Sequence, residues 1–236
     1  MPFQSIEPRR LYRQIADQIR TLIASGEFRA GARLPPERDL ARQLGVSRPS
    51  VREALIALEV EGLVEVRIGS GIYVLGANGR EHEGAAPRVQ AEAGPFELLR
   101  ARSFIESECA AQAAKVAKKP QIEGIADALE QMARELGDDR QPLAGYRLFH
   151  LRIAEATGNG ALVAVVKMLW EERTGPLYAQ LEHHYDSPSL WTAAMAEHRA
   201  VLKAIAARDA AGARAAMRRH LNQAYKRFST GWDALH

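Results

Sequence analysis

The chain holds a single cysteine, Cys109, so no internal disulfide can form. No apolar run approaches the roughly 18 residues that a membrane-crossing helix requires, and the opening MPFQSIEPRR lacks the apolar core of a secretion signal. These absences predict a soluble cytoplasmic protein with no membrane partner. There is no GxSxG, no phosphate-binding glycine loop and no HExxH. Cys109 stands in an Ala-rich helical stretch where a small buried side chain is the default, so neither an enzyme nor an organic cofactor is indicated. Lysine is missing from residues 1–75, which carry eleven arginines against nine acidic residues. Arginine suits planar, bidentate contact with phosphate or guanine, although solvated helix faces in an Arg-rich chain would give the same count.

What is present is ordinary globular material: 236 residues, 47% hydrophobic, 26% charged, with a net charge of +3. In LYRQIADQIRTLIA, residues 11–24, the spacing puts Leu11, Ile15, Ile19, Leu22 and Ile23 on one helical face. A second helix follows Pro36 and ends at Gly45. Ser47 is a suitable N-cap for a third helix, SRPSVREALIALEVEG, with Pro49 tolerated in its first turn. That helix buries Val51, Ala54, Leu55 and Leu58 and is expected to turn Arg48, Ser50 and Arg52 outward. The period then changes, and LVEVRIGSGIYVL reads as a β-hairpin with a glycine-rich tip. Helix, turn, helix and wing together predict a winged helix-turn-helix that places its third helix in the DNA major groove. A module used only for protein contact is the alternative.

Residues 76–95 mix Gly, Ala, Pro and charge without periodicity and read as a linker. Helices follow over 96–118, 121–136, 143–157, 160–184, 189–207 and 209–228. The expected fold is mostly α: a DNA-binding domain over 1–75, the linker 76–95, and an all-helical bundle for effector binding and dimerisation over 96–236.

The stretch LPPERDLARQLGVSRPSVREALIALEVEGLVEVRIGSGIYV resembles the GntR-type transcriptional regulators. AGPFELLRARSFIESECAAQAA, FHLRIAEATGN, EHRAVLKAI and RRHL resemble their FadR-like branch, which carries an FCD effector domain. Within it, AGPFELL and FHLRIAEATGN are most similar to regulators of hexuronate use, the UxuR and ExuR kind. The resemblance implies a homodimeric regulator, a repressor in the leading reading, on a near-palindromic double-stranded operator. DNA contacts would come from Arg38, Ser47, Arg48, Ser50, Arg52 and Gly69. Arg48 and Arg52 suit a guanine edge and a phosphate, the serines suit phosphates, and Gly69 lets the backbone approach without a Cβ.

In the helical half, His150, His198 and His220 match the family's metal-binding histidines, which implies a divalent metal such as Zn. The family's Asp ligand is replaced by Tyr146, a poor ligand while its phenol keeps its proton. Either three histidines hold the metal with water or effector completing the site, or the metal is lost and Tyr146 bonds the effector directly. Arg102 matches a ligand-facing position, where it would pair with a small carboxylate effector; an ion pair with Glu106 one turn on is the alternative. Asn159 is either an effector contact or the left-handed residue of a turn. A sugar acid of the hexuronate class is the favoured effector, with another hydroxy acid, an amino acid or an acyl ligand behind it. A metalloenzyme fused to a winged helix is a further alternative, opposed by the lack of an acid or base beside the histidines.

Overall fold

The computed structural model describes residues 10–67, 69–75, 93–138, 141, 143–185 and 187–230. Most of the expected linker, 76–92, lies outside them. Among the described residues the order is α1 (Leu11–Ala24), α2 (Glu37–Leu44), α3 (Arg48–Val60), β1 (Val64–Arg67), β2 (Gly71–Val74), α4 (Pro95–Val116), α5 (Lys119–Gly137), α6 (Leu143–Ala156), α7 (Gly160–Glu172), α8 (Pro176–Tyr185), α9 (Pro188–Ala206) and α10 (Ala210–Thr230). Mostly helical, as expected, the chain forms two compact units. Of the described residues, one holds those within 10–94, 176–181 and 229–230, and the other those within 95–175 and 182–228.

In the first unit α1 buries Tyr12, Ile15, Ala16 and Ile19, whereas Leu11 and Leu22, expected on the packed face, are exposed. The buried stripe is rotated because Tyr12 supplies bulk that the aliphatic pattern does not register. Gly45 closes α2 in the left-handed region, φ 64°, where a Cβ is penalised. Two residues later the Ser47 hydroxyl caps α3 by accepting from the Ser50 N–H at 3.3 Å. α3 is enclosed on all sides along its middle, with every residue from Val51 to Leu58 buried, Arg52 and Glu53 included. The hairpin is antiparallel, pairing Val64 with Val74 and Arg67 with Gly71. Glu59 Oε1 accepts from the Val66 N–H at 2.9 Å and ties the end of α3 to the wing.

In the second unit α7 ends at Glu172, so the helix expected over 160–184 is two helices, α7 and α8, separated by Arg173, Thr174 and Gly175. Pro176 has no N–H to donate into the preceding turn and disfavours helical geometry at Gly175, so the chain restarts there. Phe96, Leu98, Leu99, Ile125, Phe149, Ile153 and Val201 form the apolar core of this unit. α5 and α6 approach closely at Gly145: a Cβ there would stand 2.6 Å from the Met132 backbone nitrogen.

Candidate functional sites

The amino end of α3 carries the candidate DNA surface. Arg38 is exposed on α2, with its Nε 3.6 Å from Asp39. Ser47 is exposed and its hydroxyl lies 2.8 Å from that of half-buried Ser50. Arg48 keeps 34% of its side chain exposed and donates from Nε to Glu37 at 3.1 Å. Arg52 differs from its expected outward placement. Its side chain is wholly buried and donates to Glu37 from Nε at 2.8 Å and from Nη2 at 3.0 Å. One turn separates it from Arg48, but α2 packs over the face it occupies. Burial pushes the Glu37 carboxyl above its ordinary range, with the Arg52 and Arg48 guanidiniums opposing. Gly69 at the wing tip is exposed with φ 72°, a conformation that favours glycine. Arg42, weighed as an ion-pair partner, is bonded to Asp39 at 3.1 Å. Glu61 is paired with Arg20 at 2.5 Å.

The second unit brings His150, His198 and His220 together from α6, α9 and α10. All three are buried, and their candidate ligand atoms lie within 4.8 Å of one another. His150 Nε2 is 3.2 Å from His198 Nε2, and the Tyr146 hydroxyl donates to His220 Nε2 at 3.2 Å. Two carboxylates stand behind the rings. Glu106 takes the Nδ1 side of His150 and is itself bonded by Arg102 Nε at 2.7 Å. Glu197 takes His220 Nδ1 at 2.8 Å and is paired with Arg227. A carboxylate on Nδ1 fixes the tautomer and turns the Nε2 lone pair inward, the arrangement that supports a metal-bound imidazole. His150 and His220 are held in this way; with a nitrogen from His198, the three candidate ligand atoms lie close enough together to fit a divalent transition metal.

Charge in the pocket is arranged to keep the imidazoles neutral. Burial lowers His150, and burial followed by the neighbouring imidazoles takes His198 and His220 well below the usual histidine range. Burial works to raise Glu106, but Arg102 and His150 outweigh it and hold the carboxyl well below the ordinary range. Burial raises the Tyr146 phenol, so it stays protonated and acts as a hydrogen-bond donor. Two guanidiniums lie over the Trp170 ring, Arg102 at 4.1 Å and Arg173 at 4.7 Å; Arg173 also lies 4.8 Å from the Tyr146 ring.

Arg102 makes the ion pair with Glu106 and is wholly buried beside the histidines it was expected to accompany. Asn159 is not brought into this cluster's hydrogen bonding. It is exposed and caps α7, accepting from the Ala161 and Leu162 N–H groups at 3.0 and 3.4 Å, with φ −112°. The left-handed residue of that turn is Gly158, φ 70°. Sequence reasoning missed Glu37, Glu197 and Arg173. Glu197 had a faint signal, standing next to His198; Arg173 had none, because the helix break that positions it was not foreseen.

Residues 11–74 match the family model "Bacterial regulatory proteins, gntR family", and residues 97–223 match "FCD domain". The chain belongs to the gntR family of bacterial regulatory proteins. This gntR-family chain is 40% identical over 222 residues to the Uxu operon transcriptional regulator of Escherichia coli (strain K12), covering 92% of this chain and 86% of that one. It is 41% identical over 221 residues to the Exu regulon transcriptional regulator of the same strain, covering 91% and 83%. The solved structure of E. coli McbR/YncC shares the fold, with a TM-score of 0.50 at 22% identity, covering 95% of this chain and 99% of that one. It is thus a DNA-binding transcriptional regulator with an effector domain, as the resemblance implied. No helix among the described residues is long and apolar enough to cross a membrane.

Proposed function

We propose that this regulator is a cytoplasmic homodimer that represses sugar-acid catabolism genes and leaves a near-palindromic operator when a small carboxylate of the hexuronate class enters the His150 pocket. The observation that carries the reading is the buried cluster of His150, His198, His220, Tyr146 and Arg102 inside the region matching the FCD domain. The relatives named for the Uxu operon and the Exu regulon support the sugar-acid class. Residues 1–75 form the DNA-binding domain, 76–95 the linker and 96–236 the effector and dimerisation domain.

On the DNA side Arg38 and Arg48 reach phosphate or base edges, Ser47 and Ser50 donate to phosphates, and the Gly69 backbone approaches DNA at the wing. Arg52 contributes through Glu37. On the sensing side His150, His198 and His220 would hold a divalent cation such as Zn, which when bound supplies an electropositive centre for an effector oxygen. Arg102 provides positive charge for the effector carboxylate, and Tyr146 a hydroxyl that can exchange His220 for an effector oxygen. Asn159 is already occupied as a helix cap. Because a palindrome fixes half-site spacing, an effector that alters the geometry of the two winged helices lowers operator affinity.

The test is a titration of the purified protein with hexuronates, hexonates, lactate and amino acids, read by melting temperature and by retention of duplex DNA selected from a random library. Hexuronates are expected to raise the melting temperature and release the DNA. Release by lactate or an amino acid instead would move the effector to another class, and no response to any sugar acid would overturn the assignment.

A further inference from the structure

The amino ends of α2 and α3 meet at one carboxylate. Glu37, the first residue of α2, is 7% exposed and bonds both Arg48 and Arg52. These two arginines stand at i and i+4 on α3, so their like charges repel across one helical turn unless an anion lies between them. The two engagements differ. Arg52 is held through two nitrogens, the fork that fixes a guanidinium in plane as well as position. Arg48 is held by Glu37 through Nε, the nitrogen nearest its own chain, and stays partly exposed.

We propose that Glu37 is a positioning residue for DNA reading: its buried carboxylate retains Arg52 inside the module and sets the direction in which Arg48 meets a base edge. This rests on the reading that Arg48 contacts DNA. Base discrimination requires the guanidinium to arrive in the plane of the base pair, whereas nonspecific affinity follows the charge facing the phosphates. An anion that orients Arg48 favours the first and opposes the second. Glu37 therefore raises specificity while lowering affinity for DNA in general.

The experiment uses the full-length protein, a duplex that it selects from a random library, and a scrambled duplex of the same composition, over a salt series. Glu37→Gln keeps the size and removes the charge. Its ratio of selected to scrambled affinity is expected to fall by about tenfold or more, while affinity for the scrambled duplex stays level or rises. Arg48→Ala is expected to lower the salt slope by about 1 per protomer, and Arg52→Met to leave that slope unchanged. Circular dichroism at the binding temperature keeps unfolded variants from being scored. Equal weakening on both duplexes in Glu37→Gln would reduce Glu37 to a structural role. A slope lost in Arg52→Met would make Arg52 a phosphate contact, and either result overturns the proposal. An Arg48→Ala variant with unchanged binding and slope would instead remove Arg48 from the DNA surface, and the positioning role of Glu37 with it.

Discussion

His150 Nε2 lies 3.2 Å from His198 Nε2, while Glu106 occupies the opposite side of the His150 ring. With the His150 proton on the Glu106 side, the contact is a hydrogen bond only if His198 carries its proton on Nε2. Metal uptake requires that proton to move, so the pocket is a site in which a cation and a hydrogen bond compete for the same nitrogens.

Glu106→Gln removes the charge that fixes the His150 tautomer and leaves the side chain's size intact. Metal affinity is expected to fall by about 10- to 100-fold, the usual effect of losing a carboxylate behind a ligating imidazole. Competition against a chromophoric chelator measures it, and an unchanged affinity would show that Glu106 serves Arg102 alone.

Tyr146→Asp replaces a protonated phenol with a carboxylate beside three neutral imidazoles. The variant is expected to bind Zn about tenfold more tightly or better, and Tyr146→Phe to bind at least as well as the parent, because the hydroxyl no longer competes for His220 Nε2. Calorimetric titration of the chelator-treated proteins distinguishes the three.

The pocket also sets a pH dependence. His150, His198 and His220 have folded pKa values below the unfolded value of about 6.5. Below that value the unfolded chain takes up protons that the folded chain refuses. The stability tied to the neutral imidazoles is therefore fully present above about pH 6.5 and declines as pH falls toward the folded values, with an upper limit of about 1.4 kcal/mol per pH unit for a single histidine. Urea midpoints of chelator-treated protein between pH 8 and 5 follow this decline, which is expected to be shallower in His198→Ala.

Ser47→Ala removes the hydroxyl that accepts from the Ser50 N–H and is expected to destabilise the first unit by about 1 kcal/mol. Thermal melting reads this effect. Selected-duplex affinity is expected to weaken as well, since the same hydroxyl is placed at the phosphates.

Much of this was legible in the sequence because local rules and tertiary needs agreed. Gly45, Ser47 and Pro49 mark their turn and cap by chemistry that acts within four residues, and the structure keeps each in that place. The three histidines were separated by 48 and 22 residues, and only the resemblance joined them before the fold did. Arg52 shows the opposite case. Its position on the helix wheel beside Arg48 suggested solvent, but the partner that buries it, Glu37, lies on another helix, and periodicity carries no information about a neighbouring element. The break at Arg173–Gly175 escaped because the flanking apolar pattern continues across it, although the Gly-Pro pair was there to be read.

Gly145 immediately precedes Tyr146, and its missing Cβ lets α6 rest against the Met132 backbone. The rail that carries position 146 is thus held against α5 by the residue before it, while the Tyr146 ring packs against Trp170, Trp191 and the three histidines. Asp and Tyr codons differ by a single base. One base change therefore separates an anionic side chain from a neutral hydroxyl donor at the centre of this buried cluster, where it sets the charge that three neutral imidazoles face.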